Sequence, residues 1–111
     1  MSTYRIRLVI NTGPIIALAA GMSRPDAVLR HFAQVLVPRE VVREIRAGAS
    51  GAIGQSVLDV GGPIEMSHSD VDVRKDLELA LDRGEASVIQ TALDTQIGLV
   101  CIDEAIKLAK G

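Results

Sequence analysis

Short apolar runs alternate with helical stripes along this chain. Arg5-Ile6-Arg7-Leu8-Val9-Ile10 ends in three apolar residues and predicts a strand whose last residues are buried on both faces. Asn11-Thr12-Gly13-Pro14 follows at once; Pro14 suits a first helical turn, and Asn11 or Thr12 can cap it. Ile15 to Ala20 then reads as a short, nearly all-apolar helix that Gly21 can stop, and Ser23-Arg24-Pro25-Asp26 opens a second short helix through about Phe32. Gln34-Val35-Leu36-Val37 is the next strand, ended by Pro38. From Arg39 to Ala47 the pattern is helical: Val41 and Ile45 make an apolar stripe, while Arg39, Arg43 and Arg46 share another face.

The second half repeats the alternation. Gly48, Gly51 and Gly54 loosen the chain, with one more short helix around Ile53, Val57 and Leu58. Gly61-Gly62-Pro63 is a turn, Ile64-Glu65-Met66 a weak strand, and Asp70 to Leu81 a charged helix. Gly84 to Thr95 is a helix carrying Val88, Ile89, Ala92 and Leu93 on its apolar side. Leu99-Val100-Cys101-Ile102 is a fully apolar strand, and Asp103-Glu104 opens a last helix running to Lys110. Strands alternating with helices, and apolar throughout, predict an α/β fold: a parallel sheet of about four strands covered by helices on both faces, in a single domain over residues 1–111. In such sheets function gathers at the carboxyl ends of the strands. That rule selects Asn11 after the first strand and Asp103 after the last.

Composition narrows the classes. The 111 residues are 48% apolar and 23% charged, which suits one small folded domain and argues against disorder. The longest uncharged run, Leu8 to Ser23, is broken by Asn11, Thr12, Gly13 and Pro14, so no membrane span is expected, and no secretory leader opens the chain. One cysteine excludes an internal disulfide and a Cys-based zinc cage, and a reducing cytoplasm is the expected compartment. His31, His68 and Cys101 lack the spacing of a zinc site. Tyr4 and Phe32 are the only aromatic residues, which weighs against a base-stacking RNA-binding sheet. The net charge of −2 conceals +4 over residues 1–50 and −6 over residues 51–111, a polarity that ordinary solvated faces account for more readily than two functional surfaces do.

Four oxygen-bearing side chains fit a bland core poorly. Asn11 directly follows three buried residues, and Asp103 ends an apolar strand; each can also be a helix cap. Glu85 shares a helical face with Ile89 and Ala92, where a carboxylate needs a partner, although the first turn of a helix also favours it. Glu44 lies at the edge of the Val41/Ile45 stripe, with a solvated face as the alternative. If the set converges, clustered carboxylates call for a hard cation, Mg2+ or Mn2+. Such an ion can activate a water for in-line displacement at a phosphate.

The string Leu8-Val9-Ile10-Asn11-Thr12-Gly13-Pro14-Ile15-Ile16-Ala17-Leu18-Ala19 resembles the opening of PIN domains, above all a prokaryotic PIN-like subfamily of predicted nucleic-acid-binding proteins. Val35 to Pro38 with Val41-Val42-Arg43-Glu44-Ile45 resembles the family's second strand and following helix. Leu81 to Ile89 and Leu99 to Glu104 resemble its later acidic segments, so the likeness covers most of the chain in the right order. The resemblance implies a three-layer α/β/α fold and a metal-dependent ribonuclease, of the kind that includes toxins of toxin–antitoxin pairs. It puts Asn11, Glu44, Glu85 and Asp103 at the catalytic constellation. Glu44, Glu85 and Asp103 would hold Mg2+ or Mn2+, and Thr12 would add a hydroxyl near ion or phosphate. Three departures stand out: Asn11 replaces the wider family's Asp, Gly13 stands where Ser is frequent, and the chain stops at Gly111, where relatives usually continue. The early stop leaves the Leu99–Ile102 strand at or near a sheet edge, which invites a homodimer or an exchanged segment. Arg39, Arg43 and Arg46 could contact an RNA backbone or form salt bridges to the acidic half.

Three functions compete. A PIN-type ribonuclease, with RNA as substrate and an antitoxin-like protein as a possible partner, predicts metal-dependent cleavage. A catalytically weak or inactive module of the same fold would bind nucleic acid or a protein partner without cutting. A receiver-type signalling domain would need an Asp ending a central strand and a later Lys, and Pro38 follows the strand that ends at Val37.

Overall fold

Three consecutive fully apolar residues cannot alternate between core and solvent, and the first strand obeys that constraint. In β1 (Arg7–Ile10), Arg7 is exposed while Leu8, Val9 and Ile10 are all buried. The same pattern recurs in β2 (Gln34–Val37). The computed structural model describes residues 6–21, 27, 29–48, 51–59, 61–102 and 105–108. Within them, α1 (Thr12–Gly21) follows β1, and α2 (Arg39–Ala47) and α3 (Gly51–Leu58) follow β2. Next come β3 (Ile64–Met66), α4 (Lys75–Ala80), α5 (Arg83–Thr95), β4 (Leu99–Ile102) and β5 (Ala105–Leu108).

The sheet has the order β3-β2-β1-β4-β5. β1 to β4 are mutually parallel, and helices flank them, as expected of the α/β/α class. The central β1 lies between β2 and β4, with Val9 opposite both Leu36 and Val100. The chain therefore builds outward from β1 to β3, then returns to add β4 on the other side. That reversal between β1 and β4 is a topological switch point, where two loops part and leave a crevice.

The core is aliphatic. Val9, Val35, Val37, Val41 and Val88 are wholly inaccessible, and Ile15, Ile45, Val57 and Val100 are nearly so. α2 and α3 pack closely because Gly54 lets them: a Cβ there would sit 2.7 Å from Ile45 Cγ2. Gly54, which weakens α3 as a local element, thus has a packing reason.

Two expected helices differ. Asp103 to Lys110 was expected to be helical, but Ala105–Leu108 is β5, antiparallel to β4 with Ile102 opposite Ala105. The four residues Ala105-Ile106-Lys107-Leu108 are too few for a period that separates helix from strand, and the open hydrogen-bonding edge of β4 decides it. β5, not β4, is consequently the terminal strand on that side, and it adds an antiparallel fifth strand to the expected four parallel ones. The helix expected from Asp70 to Leu81 is reduced to Lys75–Ala80. The first residues of that span lie outside the helix and are tied to partners elsewhere: Asp70 to arginines of α2, and the Arg74 N–H to Gln90 Oε1 of α5 at 3.0 Å. The helix expected from Ser23 lies largely outside the described residues.

Candidate active site at the carboxyl edge

Asn11 stands where β1 leaves the sheet, and it is buried. Its N–H donates to the Cys101 carbonyl of β4 at 3.0 Å, so it still belongs to the β1–β4 ladder. Its side chain turns the chain into α1: Oδ1 accepts the Thr12 N–H at 2.8 Å, and its carbonyl accepts from Ile15 N–H at 3.4 Å. The capping role anticipated for Asn11 is real. It also fixes the amide oxygen at the switch point, so cap and site residue are compatible.

Glu44 reaches the same place from α2. Thr12 Oγ1 donates to Glu44 Oε1 at 3.1 Å, joining residues 32 apart in sequence. Gly84 completes the arrangement from the first turn of α5. A Cβ built on Gly84 would lie 2.6 Å from Glu44 Oε1 and 3.1 Å from Asn11 Oδ1. The missing side chain at Gly84 is therefore the space that the Glu44 carboxylate and the Asn11 amide share. Asn11, Thr12, Glu44 and the start of α5 meet at one point.

Glu85 follows Gly84 directly and is half-buried. The amino end of α5 is shaped by Asp82, whose carboxylate accepts the Glu85 N–H at 2.8 Å as the helix N-cap. Carboxylates in the first turn of a helix are favoured by the unpaired N–H groups and the positive end of its dipole. Asp103 lies outside the described residues. Among the described residues, no group of three or more His, Cys, Asp or Glu side chains is placed to hold a metal.

The arginine stripe is engaged within the molecule. Arg43 grips Asp70 with both Nη atoms, Nη1 to Oδ1 at 2.7 Å and Nη2 to Oδ2 at 2.9 Å, and approaches Glu40 at 3.5 Å. Arg39 Nη1 donates to the His68 carbonyl at 3.0 Å, and its Nε lies 4.0 Å from Asp70 Oδ1. Arg46 contacts Gln55 Oε1 at 3.4 Å and Met66 Sδ at 3.8 Å. The Arg43 hydrogen bond holds the Asp70 carboxyl below its ordinary range and, reciprocally, raises the Arg43 guanidinium; both groups are exposed.

A cleft of about 480 Å3 between the start of α2, the segment after β3 and the start of α5 is lined by Arg39, Glu40, Asp70, Val73, Arg83 and Ser87 among others. Arg83 Nε lies 3.7 Å from Glu40, so successive residues of α5, Arg83 and Gly84, meet successive turns of α2 at Glu40 and Glu44. Sequence reasoning did not single out Gly84, Glu40, Arg83 or Asp70. Gly84 had a readable signal, since a glycine opening a strong helix marks a close approach. Asp70 had none, because its partners come from another element.

Chemically, the donors brought together are oxygens, hard ligands of the kind Mg2+ and Mn2+ take. Gly84 lets Glu44 and Asn11 pack against the first turn of α5, which brings a carboxylate and an amide oxygen, both of the kind such an ion takes, to one place.

Fold and site together define an α/β/α domain in which Asn11, Thr12 and Glu44 meet the first turn of α5 at the topological switch point. A family model, DUF3368, described as a PIN domain, matches residues 7–109, and the chain belongs to the PIN-domain family. PIN domains are generally nucleases and typically use divalent metal ions. Searches among curated proteins and among solved structures gave no match. Among the described residues, no helix is long and apolar enough to cross a membrane.

Proposed function

We propose that this chain is a divalent-metal-dependent ribonuclease that hydrolyses RNA phosphodiester bonds at the junction of β1, α2 and α5, where the oxygens brought together would line a hollow for the ion. The observation that carries the reading is the meeting of Glu44 Oε1 and Asn11 Oδ1 over Gly84, at the switch point of a PIN-domain sheet. Glu44, Glu85 and Asp103 are the residues that would hold Mg2+ or Mn2+. The ion supplies a water of lowered pKa and neutralises charge developing on the phosphate.

The chain's own residues do the positioning. Thr12 donates to Glu44 Oε1 and so fixes which carboxylate oxygen faces the hollow. Asn11 contributes a neutral oxygen whose direction is set by the Thr12 N–H. The amino ends of α1 and α5 both start at the site, and their N–H groups favour an anionic ligand. The neutral charge of Asn11, with Gly13 in place of the frequent Ser, favours the second reading, a module that binds RNA without cutting it. A cytoplasmic toxin role, an antitoxin-like partner and a homodimer belong to the same proposal; β5 supplies the terminal strand through which a second copy could extend the sheet.

The test is cleavage of a broad panel of RNAs with Mn2+, repeated with Glu44→Gln, Glu85→Gln and a chelator. Cleavage by the parent alone, lost in both variants and on chelation, is the expected result. Failure of a folded preparation to cut any RNA in the panel overturns the nuclease reading, and RNA binding that survives both chelation and Glu85→Gln selects the binding module.

A further inference from the structure

We propose that Arg39 and Arg43 form a subsite for a backbone phosphate of single-stranded RNA, and that Asp70 fills it in the free protein as a built-in competitor. The proposal rests on RNA being the ligand of the neighbouring hollow and adds how access to it is regulated. Three observations carry it.

The geometry is that of an anion site already in use. Arg43 offers a two-pronged grip to Asp70 at 2.7 and 2.9 Å, and Arg39 Nε stands 4.0 Å from the same Oδ1. A guanidinium fork fits a carboxylate and a phosphate in the same way. The competitor is also easily displaced. The side chains of Arg39, Arg43 and Asp70 are 42%, 46% and 57% exposed, and exposed ion pairs are weak. Finally, the subsite shares elements with the proposed site. The cleft lined by Arg39 and Asp70 is also lined by Arg83 of α5, whose neighbour Gly84 packs against Glu44 of α2.

The segment that carries Asp70 is anchored without it. The Ser67 N–H donates to the Val37 carbonyl at 2.9 Å, Arg39 holds the His68 carbonyl, and Gln90 Oε1 accepts the Arg74 N–H at 3.0 Å. Asp70→Asn therefore opens the arginine pair while the segment stays in place.

Binding of a short fluorescent single-stranded RNA, measured in chelator so that nothing is cut, tests the idea. Asp70→Asn is expected to bind roughly three- to fivefold more tightly at low salt, the scale of a weak exposed pair. Its salt dependence steepens by about 0.7 in log–log slope for each added phosphate contact, so a fourfold drop in salt widens its advantage by about 2.6-fold. Asp72→Asn makes the same charge change in the same cleft and serves as the control; it leaves the slope unchanged. Adding Arg43→Gln to Asp70→Asn removes the gain. Equal effects of Asp70→Asn and Asp72→Asn, a gain that persists without Arg43, or no RNA binding by any variant overturns the competitor. Cleavage with Mn2+, assayed separately, keeps the two readings apart. Cutting without an Asp70 effect sinks only the competitor; an Asp70 effect without cutting sinks only the nuclease.

Discussion

Gly84→Ala separates the chemistry of the site from the stability of the fold. The added methyl would lie 2.6 Å from Glu44 Oε1, whereas ordinary contact begins near 3.4 Å, so the carboxylate must retreat by about 0.8 Å. Glu44 is exposed and at the end of a flexible side chain, and its retreat strains little. Asn11 Oδ1, at 3.1 Å, needs to yield only a few tenths of an ångström, but it is buried and tied to the Thr12 N–H. Against these strains, replacing a helical glycine by alanine gains about 0.5–1 kcal/mol. The opposing terms are similar in size, so net stability should change by less than about 1 kcal/mol, and the melting temperature by no more than about 4–8 °C.

Catalysis should respond far more. A displacement near 1 Å of a group that must be correctly placed costs up to about 100-fold in rate. Gly84→Ala is thus expected to reduce Mn2+-dependent RNA cleavage by about 10- to 100-fold and to weaken Mn2+ binding in calorimetry. Gly98→Ala, where a Cβ meets nothing within 4 Å, should leave cleavage unchanged. A Gly84→Ala protein that melts like the parent and cuts RNA at the parental rate would refute the claim that Glu44 acts from beside Gly84.

Other expectations follow from the same contacts. Asp82→Ala removes the cap on the Glu85 N–H and should lower stability by about 1 kcal/mol, read as a thermal shift. Asn11→Asp keeps the Thr12 cap but adds a buried charge beside Glu44, so it should melt lower without metal and gain more from Mn2+ than the parent does. The Asp70 carboxyl is depressed by its hydrogen bond to Arg43, so its contribution to stability is present above the ordinary carboxylate range and is lost as pH falls through its lowered folded value. The difference in melting temperature between parent and Asp70→Asn should therefore shrink on acidification and stay constant from neutral to mildly alkaline pH.

Much of this protein is written locally. Runs such as Leu8-Val9-Ile10 and Val35-Leu36-Val37 force doubly buried strands, the Val41/Ile45 stripe forces α2, and Asn11 after an apolar strand marks both a cap and a strand end. These follow from short-range periodicity and backbone chemistry, which a linear string carries in full. Three things it does not carry. Ala105–Leu108 is a strand because β4 presents an open edge to it. Asp70 stays outside the helix because Arg43, 27 residues earlier, takes its carboxylate before a helix can begin there. Gly84 matters because strand order brings α5 onto Glu44 and Asn11. Each depends on which surfaces meet, and that is set by the packing of the whole sheet rather than by neighbours along the chain.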